Sequence, residues 1–198
     1  MRKVFSSFAV AVVLCAAPLS AQDGTFQFLS GSSGQLDFQG QWTADLPGGD
    51  NLGPLNTPFG MFCVDQANVA NGGAYSAWNS AIFSGNGEIA SNTRLGQNGD
   101  VNAFAKYWRA AWLVNHFQTV GGYTQNQYQN AIWNITNNNG VSGGAATLAT
   151  LALAANVNAN PNAFAGWSVI TDVTRPGGQE FIWFRGTPGG GQEVVPEP

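Results

Sequence analysis

The order of hydrophobic periodicities along the chain constrains its fold more than any other feature. Alternation of apolar and polar residues over 24–45, around a Gly/Ser turn, predicts two strands, and the apolar run 61–65 predicts a third. Helical spacing of Phe and Trp dominates 101–118, and alternating segments return at 166–185. Strands followed by helices and then by a hairpin predict an α+β domain built on antiparallel strands.

Helical spacing predicts three helices in the middle of the chain. The strongest is VNAFAKYWRAAWLVNHFQ (101–118), where large aromatic residues recur every three or four positions and Asp100 or Asn102 can cap the start. Shorter helices are predicted at 128–136 and 145–157, and the second of these is too short to cross a membrane.

The remaining segments contain turn and loop residues. Residues 46–60 are rich in Gly and Pro and predict a loop, whereas 66–100 are rich in Asn, Gly and Ser, with one short helix predicted near 74–83. Towards the C-terminus, GWSVITDVT and QEFIWFR alternate on either side of RPGG. This arrangement predicts a β-hairpin.

The N-terminus has the pattern of a signal peptide. Arg2 and Lys3 precede the apolar run VFSSFAVAVVLCAAPL, and small residues near Ala21 offer a cleavage site. We therefore expect residues 1–21 to be removed on export, and Cys15 with them.

Removal of that segment leaves a chain of single-domain size, which we place at 22–186, followed by a Gly/Pro-rich tail at 187–198. The sequence contains 7 Lys and Arg against 11 Asp and Glu. Loss of Arg2 and Lys3 brings the net charge to about −6, so the domain lacks the clustered cations that bind phosphates. The composition argues against nucleic acid and anionic membrane surfaces as partners.

Cys63 would be the only cysteine left after export, because the sequence has 2 in all. Three interpretations stay open: a buried apolar residue, an intermolecular disulfide, or a reactive thiol. His116 is the only histidine, and a Cys–His hydrolase with Asp65 or an Asn as the orienting group is one hypothesis.

Two short segments together resemble the Cys–Gln thioester domains of bacterial surface proteins. They are FCVD at 62–65 and YQNAIW at 128–133. In that family a cysteine on an early strand is joined to a glutamine in a Thr-Gln-x-Ala-type motif, which often continues with Ile-Trp. The resemblance implies that Cys63 is the thioester cysteine and Gln129 the acyl donor.

The resemblance also implies supporting residues and a fold. Ala131, Ile132 and Trp133 would pack the helix of the motif against the core of a domain with a helical insertion and a C-terminal hairpin. Tyr128 stands where the motif usually has Thr. Gln125, in TQNQ, keeps a preceding Thr but lacks the Ala-Ile-Trp continuation.

The implied bond makes chemical sense in a protected site. Attack of a thiolate on a carboxamide expels ammonia and leaves a thioester, which is activated towards amines and hydroxyls. If a helix begins near Tyr128, Gln129 lies in its first turn, near unpaired backbone N–H groups. We expect Phe62, Tyr128 and Trp133 to shield the bond from water.

The sequence VPEP at 195–198 resembles the opening of the PEP-CTERM sorting signal of Gram-negative bacteria. In that signal a hydrophobic helix and an Arg cluster follow, and neither follows here, so membrane anchoring stays open while export is expected.

Together the resemblances imply an exported surface or matrix protein that captures a surface nucleophile, an amine or hydroxyl on a protein or polysaccharide. A non-covalent structural or binding module of the extracellular matrix is the alternative. We expect no enzyme activity, no cofactor and no metal.

Overall fold

The computed structural model describes residues 23–31, 38–45, 52, 54–66, 73–117, 119–174 and 178–185. The predicted signal peptide at 1–21, the tail at 187–198 and the hairpin residues 175–177 lie outside them.

Six strands and five helices make up this described part of the chain. The strands are β1 (Gly24–Ser30), β2 (Phe38–Asp45), β3 (Phe59–Cys63), β4 (Ala74–Ala81), β5 (Trp167–Asp172) and β6 (Phe181–Phe184). The helices are α1 (Gly87–Asn92), α2 (Arg94–Gln97), α3 (Ala103–Asn115), α4 (Gln125–Asn137) and α5 (Gly143–Ala154). None of these helices has the length and apolar character needed to span a membrane.

The six strands pair antiparallel and close on themselves in the order β1-β2-β3-β6-β5-β4. Closure occurs because β1 pairs with β2 on one side and with β4 on the other. All five helices lie between β4 and β5 in the sequence, and β5 pairs directly with β6. The predicted α+β class, the helical insertion and the C-terminal hairpin are therefore confirmed.

Alternate residues of β3 face two separate cores, as the pleat of a strand requires. Met61 and Cys63 belong to an aromatic-rich core enclosed by the strands, together with Phe181 and Trp183 of β6. Phe62 belongs to a second core that lies between the strands and the helices. We call these the barrel core and the helical core.

The three predicted helices are confirmed as α3, α4 and α5, with shifted ends. The shift that bears on the site is at the start of α4, which begins at Gln125 because Thr124 forms a capping box. The hydroxyl of Thr124 accepts a hydrogen bond from the Gln127 backbone N–H at 3.3 Å, and Gln127 Oε1 accepts one from the Thr124 N–H at 2.7 Å. Gln129 is therefore the fifth helical residue, and its predicted position in the first turn is wrong.

The helix predicted near 74–83 is also wrong, because this segment forms β4. Ala and Asn are uncommon in strands, and their presence here hides the alternation. The strand buries Asn79 completely, and its side-chain oxygen accepts a hydrogen bond across the barrel core from Trp183 Nε1 at 2.8 Å. Helices α1 and α2 are not predicted by the sequence.

Gly40 on β2 lies where the barrel core has no room for a side chain. A Cβ there would lie 2.4 Å from the ring of Phe26, which is completely buried and packed against Trp42 and Tyr75. We expect Gly40→Ala to lower the free energy of unfolding by about 1–3 kcal/mol, measured by chemical denaturation. Gly60→Ala is the matched control, since a Cβ there meets nothing within 4 Å; equal losses in both variants would contradict the packing argument.

Candidate functional site

Cys63 is the last residue of β3, and its free thiol is completely buried in the barrel core. The thiol donates a hydrogen bond to the carbonyl oxygen of Asp65 at 3.2 Å. Its sulfur accepts one from Nε2 of Gln179 at 2.6 Å. The thiol is thus held by the backbone on one side and by a side-chain amide on the other.

The side chain of Gln129 reaches Cys63 from α4, across a sequence separation of 66 residues. Its Nε2 donates a 2.7 Å hydrogen bond to the Cys63 carbonyl oxygen, and the residue has no exposed surface. Its Oε1 is buried without a hydrogen-bond partner. An unpaired buried acceptor costs about 1–3 kcal/mol, so this half-satisfied carboxamide calls for a reason other than packing.

The rotation of α4 about its axis determines which of its side chains point towards β3 and the barrel core. Gln129 and Trp133 lie one turn apart on the same side of the helix, and Trp133 joins Cys63 in the barrel core. Ala131 and Ile132 are completely buried in the helical core, where they pack α4 against its neighbours. Gln125 lies one turn earlier and is half-buried, so Gln129 is the glutamine of α4 that contacts Cys63.

Tyr128 is buried on the side of α4 that faces away from the barrel core. Its hydroxyl donates to the carbonyl oxygens of His116 at 3.0 Å and Val120 at 3.2 Å, which fixes the connection between α3 and α4. Of the three aromatic residues expected to shield the thiol, Trp133 shares its core, whereas Phe62 and Tyr128 belong to the helical core.

Burial raises the pKa of the Cys63 thiol to about 12. The side chains of Trp133 and Gln179 and the charge of Arg94 act in the opposite direction, although the indole Nε1 of Trp133 makes no full hydrogen bond. At neutral pH the thiol is therefore protonated and poorly reactive towards reagents in solution. A reaction partner held beside the thiol would still react with it faster than a reagent in solution, because proximity supplies a large effective concentration.

A buried ionic cluster adjoins the thiol. Arg94 forms an ion pair with Asp65, and its backbone N–H donates to Glu180 Oε1 at 2.6 Å. Glu180 also accepts from the hydroxyls of Tyr107 at 2.5 Å and Thr171 at 2.7 Å. These partners compensate the burial of both carboxylates, and the ion pair of Asp65 fixes the chain that follows Cys63.

The structure does not bring together the Cys–His pair of the hydrolase hypothesis. The ring of His116 stacks on Trp112 with centroids 4.0 Å apart, and its Nδ1 lies 2.7 Å from the Trp112 carbonyl oxygen. Because that oxygen can only accept, Nδ1 carries the proton. Asp65, the proposed orienting group, pairs with Arg94 instead.

Sequence reasoning missed Gln179 and the cluster around Glu180. Gln179 follows RPGG and is the first residue of the predicted second strand of the hairpin, and the alternation of QEFIWFR puts it on the same side as Phe181, which lies opposite Cys63. That alternation is the signal that could have found it. Among the described residues no group of three or more His, Cys, Asp or Glu side chains could hold a metal ion.

Comparison with known proteins yields little beyond this geometry. No protein-family model matches the chain, and no curated protein matches it. Among solved structures, it is similar to the N-terminal thioester domain of fibronectin-binding protein SfbI from Streptococcus pyogenes, with 12% identity and a TM-score of 0.40. The alignment covers 84% of this chain and 94% of that one. A likeness this loose does not establish a shared function.

The hydroxyl of Tyr107 is one of the donors that make the burial of Glu180 tolerable. We expect Tyr107→Phe to lower the free energy of unfolding by about 1–3 kcal/mol in urea denaturation, because it leaves a buried carboxylate oxygen without its donor. Tyr123→Phe makes the same change at a half-buried ring and is the control. Equal stability of the Tyr107 variant and the unaltered protein would show that the carboxylate does not depend on this hydrogen bond.

Proposed function

We propose that the protein is an exported cell-surface or extracellular-matrix adhesin in which Cys63 and Gln129 form an internal thioester for covalent attachment. One observation carries the proposal: the completely buried carboxamide of Gln129 donates a hydrogen bond to the backbone carbonyl of Cys63, whose thiol is free and completely buried, and the carboxamide oxygen has no partner. Export is inferred from the sequence pattern of residues 1–21.

The proposed reaction needs no oxidant and no cofactor. The sulfur of Cys63 attacks the side-chain carbonyl carbon of Gln129, the S–C bond forms, and the C–N bond breaks. The thiol proton leaves with the amide nitrogen as ammonia. Negative charge develops on Gln129 Oε1, a buried atom that has no hydrogen-bond partner before the reaction.

Burial supports the stability of the product as much as its formation. A thioester hydrolyses in water, so an enclosed site preserves it until a suitable nucleophile enters. The partner we propose is an amine or hydroxyl on a surface protein or polysaccharide. Attack on the thioester would join that group to the side chain of Gln129 and return the proton to Cys63 as a free thiol.

One observation favours a second candidate, a non-covalent structural or binding module. A completely buried thiol whose pKa is raised to about 12 has the properties of an inert structural cysteine. In that case the hydrogen bond from Gln129 to the Cys63 carbonyl serves only to hold α4 against β3.

The intact mass of the mature protein separates the two candidates. With a thioester, the mass is lower than the sequence mass by one ammonia, because the condensation expels the amide nitrogen. We expect this deficit in the unaltered protein and in Gln125→Ala, the matched control on the same helix. We expect it to be absent from Cys63→Ala and Gln129→Ala.

Methylamine then identifies the acyl donor. It should open the thioester, release the thiol for alkylation and leave a methylamide on residue 129, located by peptide mapping. A protein of full mass, with a thiol that is alkylated quantitatively after unfolding, would contradict the thioester and support the non-covalent module.

A further inference from the structure

We propose that Gln179 is a positioning residue that activates the Cys63 thiol for thioester formation, an inference that rests on the proposed function. Gln179 lies two residues before β6, which begins at Phe181. Its Nε2 donates to the Cys63 sulfur at 2.6 Å and to the Asp65 carbonyl oxygen at 3.2 Å. It is the half-buried member of a site whose other amide, Gln129, is completely buried.

The contact with Asp65 fixes which way the amide of Gln179 points. A backbone carbonyl oxygen only accepts hydrogen bonds, so the NH₂ end and not the oxygen end must face it. The same nitrogen therefore faces the sulfur, which receives a donor and not a second acceptor. Because the Asp65 carbonyl also accepts from the thiol, the three groups hold one another in place.

This orientation distinguishes the two glutamines at the thiol. The N–H bonds of an amide lie in the amide plane, so a sulfur that accepts from Nε2 lies near that plane. A nucleophile approaches a carbonyl carbon from outside the plane, along an inclined path. Gln179 thus presents the sulfur with a proton, whereas Gln129 keeps its nitrogen on the Cys63 carbonyl and its oxygen unpaired.

Donation to the sulfur favours the form that must attack. Burial disfavours the thiolate, and a hydrogen bond to the charged form opposes that effect. The charged groups around the thiol are Arg94 from α2, which favours the thiolate, and Glu180 ahead of β6, which disfavours it. The neutral donors beside the sulfur are the indole of Trp133 and the amide of Gln179, and of these two Gln179 is the one that makes a full hydrogen bond to it, at 2.6 Å.

The first experiment follows formation of the thioester. The protein is isolated unfolded from inclusion bodies, so that Gln129 still carries its amide nitrogen, and the loss of ammonia on refolding is followed by intact mass against time. We expect Gln179→Leu, which keeps the bulk of the side chain but cannot donate, to form the thioester about tenfold more slowly, the factor that corresponds to one unit of thiol pKa. Gln179→Glu keeps the shape and should be slower still, because its negative charge opposes the thiolate.

The matched control is Gln41→Leu, which removes a half-buried glutamine on β2 whose amide bonds to Gln27. This variant should form the thioester at the rate of the unaltered protein. Circular dichroism confirms that each variant is folded, and Gln179→Glu decides the question if Gln179→Leu does not fold. Formation at the unaltered rate in the folded Gln179 variant would overturn the proposal, as would a methylamide found on residue 179.

A second experiment measures the thiol without any thioester and so separates failure of this inference from failure of the proposed function. In Gln129→Ala the thiol stays free, and its alkylation rate by iodoacetamide under native conditions reports the thiolate fraction. Adding Gln179→Leu should slow alkylation about tenfold. If the Gln179 side chain only shielded the thiol from solvent, its replacement would make alkylation faster. An unchanged or faster alkylation rate therefore overturns the role of Gln179, whether or not the unaltered protein carries a thioester.

Discussion

The buried carboxylate of Glu180 is the interaction on which the rest of the structure depends most directly. Its side chain accepts hydrogen bonds from α2, α3 and β5, and its backbone carbonyl accepts from Val64 at the end of β3. Four elements are thereby tied to the residue that leads into β6. A carboxylate without these donors would cost several kcal/mol to bury, so the elements must assemble together or the cluster does not form.

The neighbours of Glu180 in the sequence are also neighbours of the thiol. Gln179 contacts the Cys63 sulfur, and Phe181 lies opposite Cys63 in the pairing of β3 with β6. The charged cluster therefore positions the groups around the sulfur. The ionic groups hold the segments next to Cys63 in the sequence and in the sheet, whereas the thiol itself lies among aromatic side chains of the barrel core.

Sequence patterns could predict the elements whose apolar residues repeat, and only those. Phe104, Trp108 and Trp112 made α3 evident because large side chains on one face leave a clear period. The strand β4 is hidden from sequence patterns, because it mixes Tyr and Trp with Ala and Asn, which are uncommon in strands, so its alternation is not clear. Its polar residues are stabilised by long-range partners such as Trp183, which local periodicity does not report.

The candidate site shows the same limit. Cys63 drew attention by its count and Gln129 by a short motif, but the pairing came from a resemblance, because no local pattern encodes a contact between residues 66 positions apart. The sequence does not single out Gln179, because it directly follows the Gly and Pro of a predicted turn and no local pattern reports its contact with Cys63. Its half-buried position depends on the register of β6 against β3, a tertiary fact.

The register of β3 and the start of α4 together determine whether the Cys63 thiol and the Gln129 carboxamide can lie next to each other. A slip of one residue in β3 would turn Cys63 to the helical core, since successive side chains of a strand point to opposite faces. A shift of one residue in α4 would rotate Gln129 by about 100°. The pairing of Met61 with Trp183 fixes the first phase, and the capping box at Thr124 fixes the second by setting where the helix begins. Thr124 lies one turn before Tyr128, and it sets the direction of the Gln129 side chain through the start of the helix.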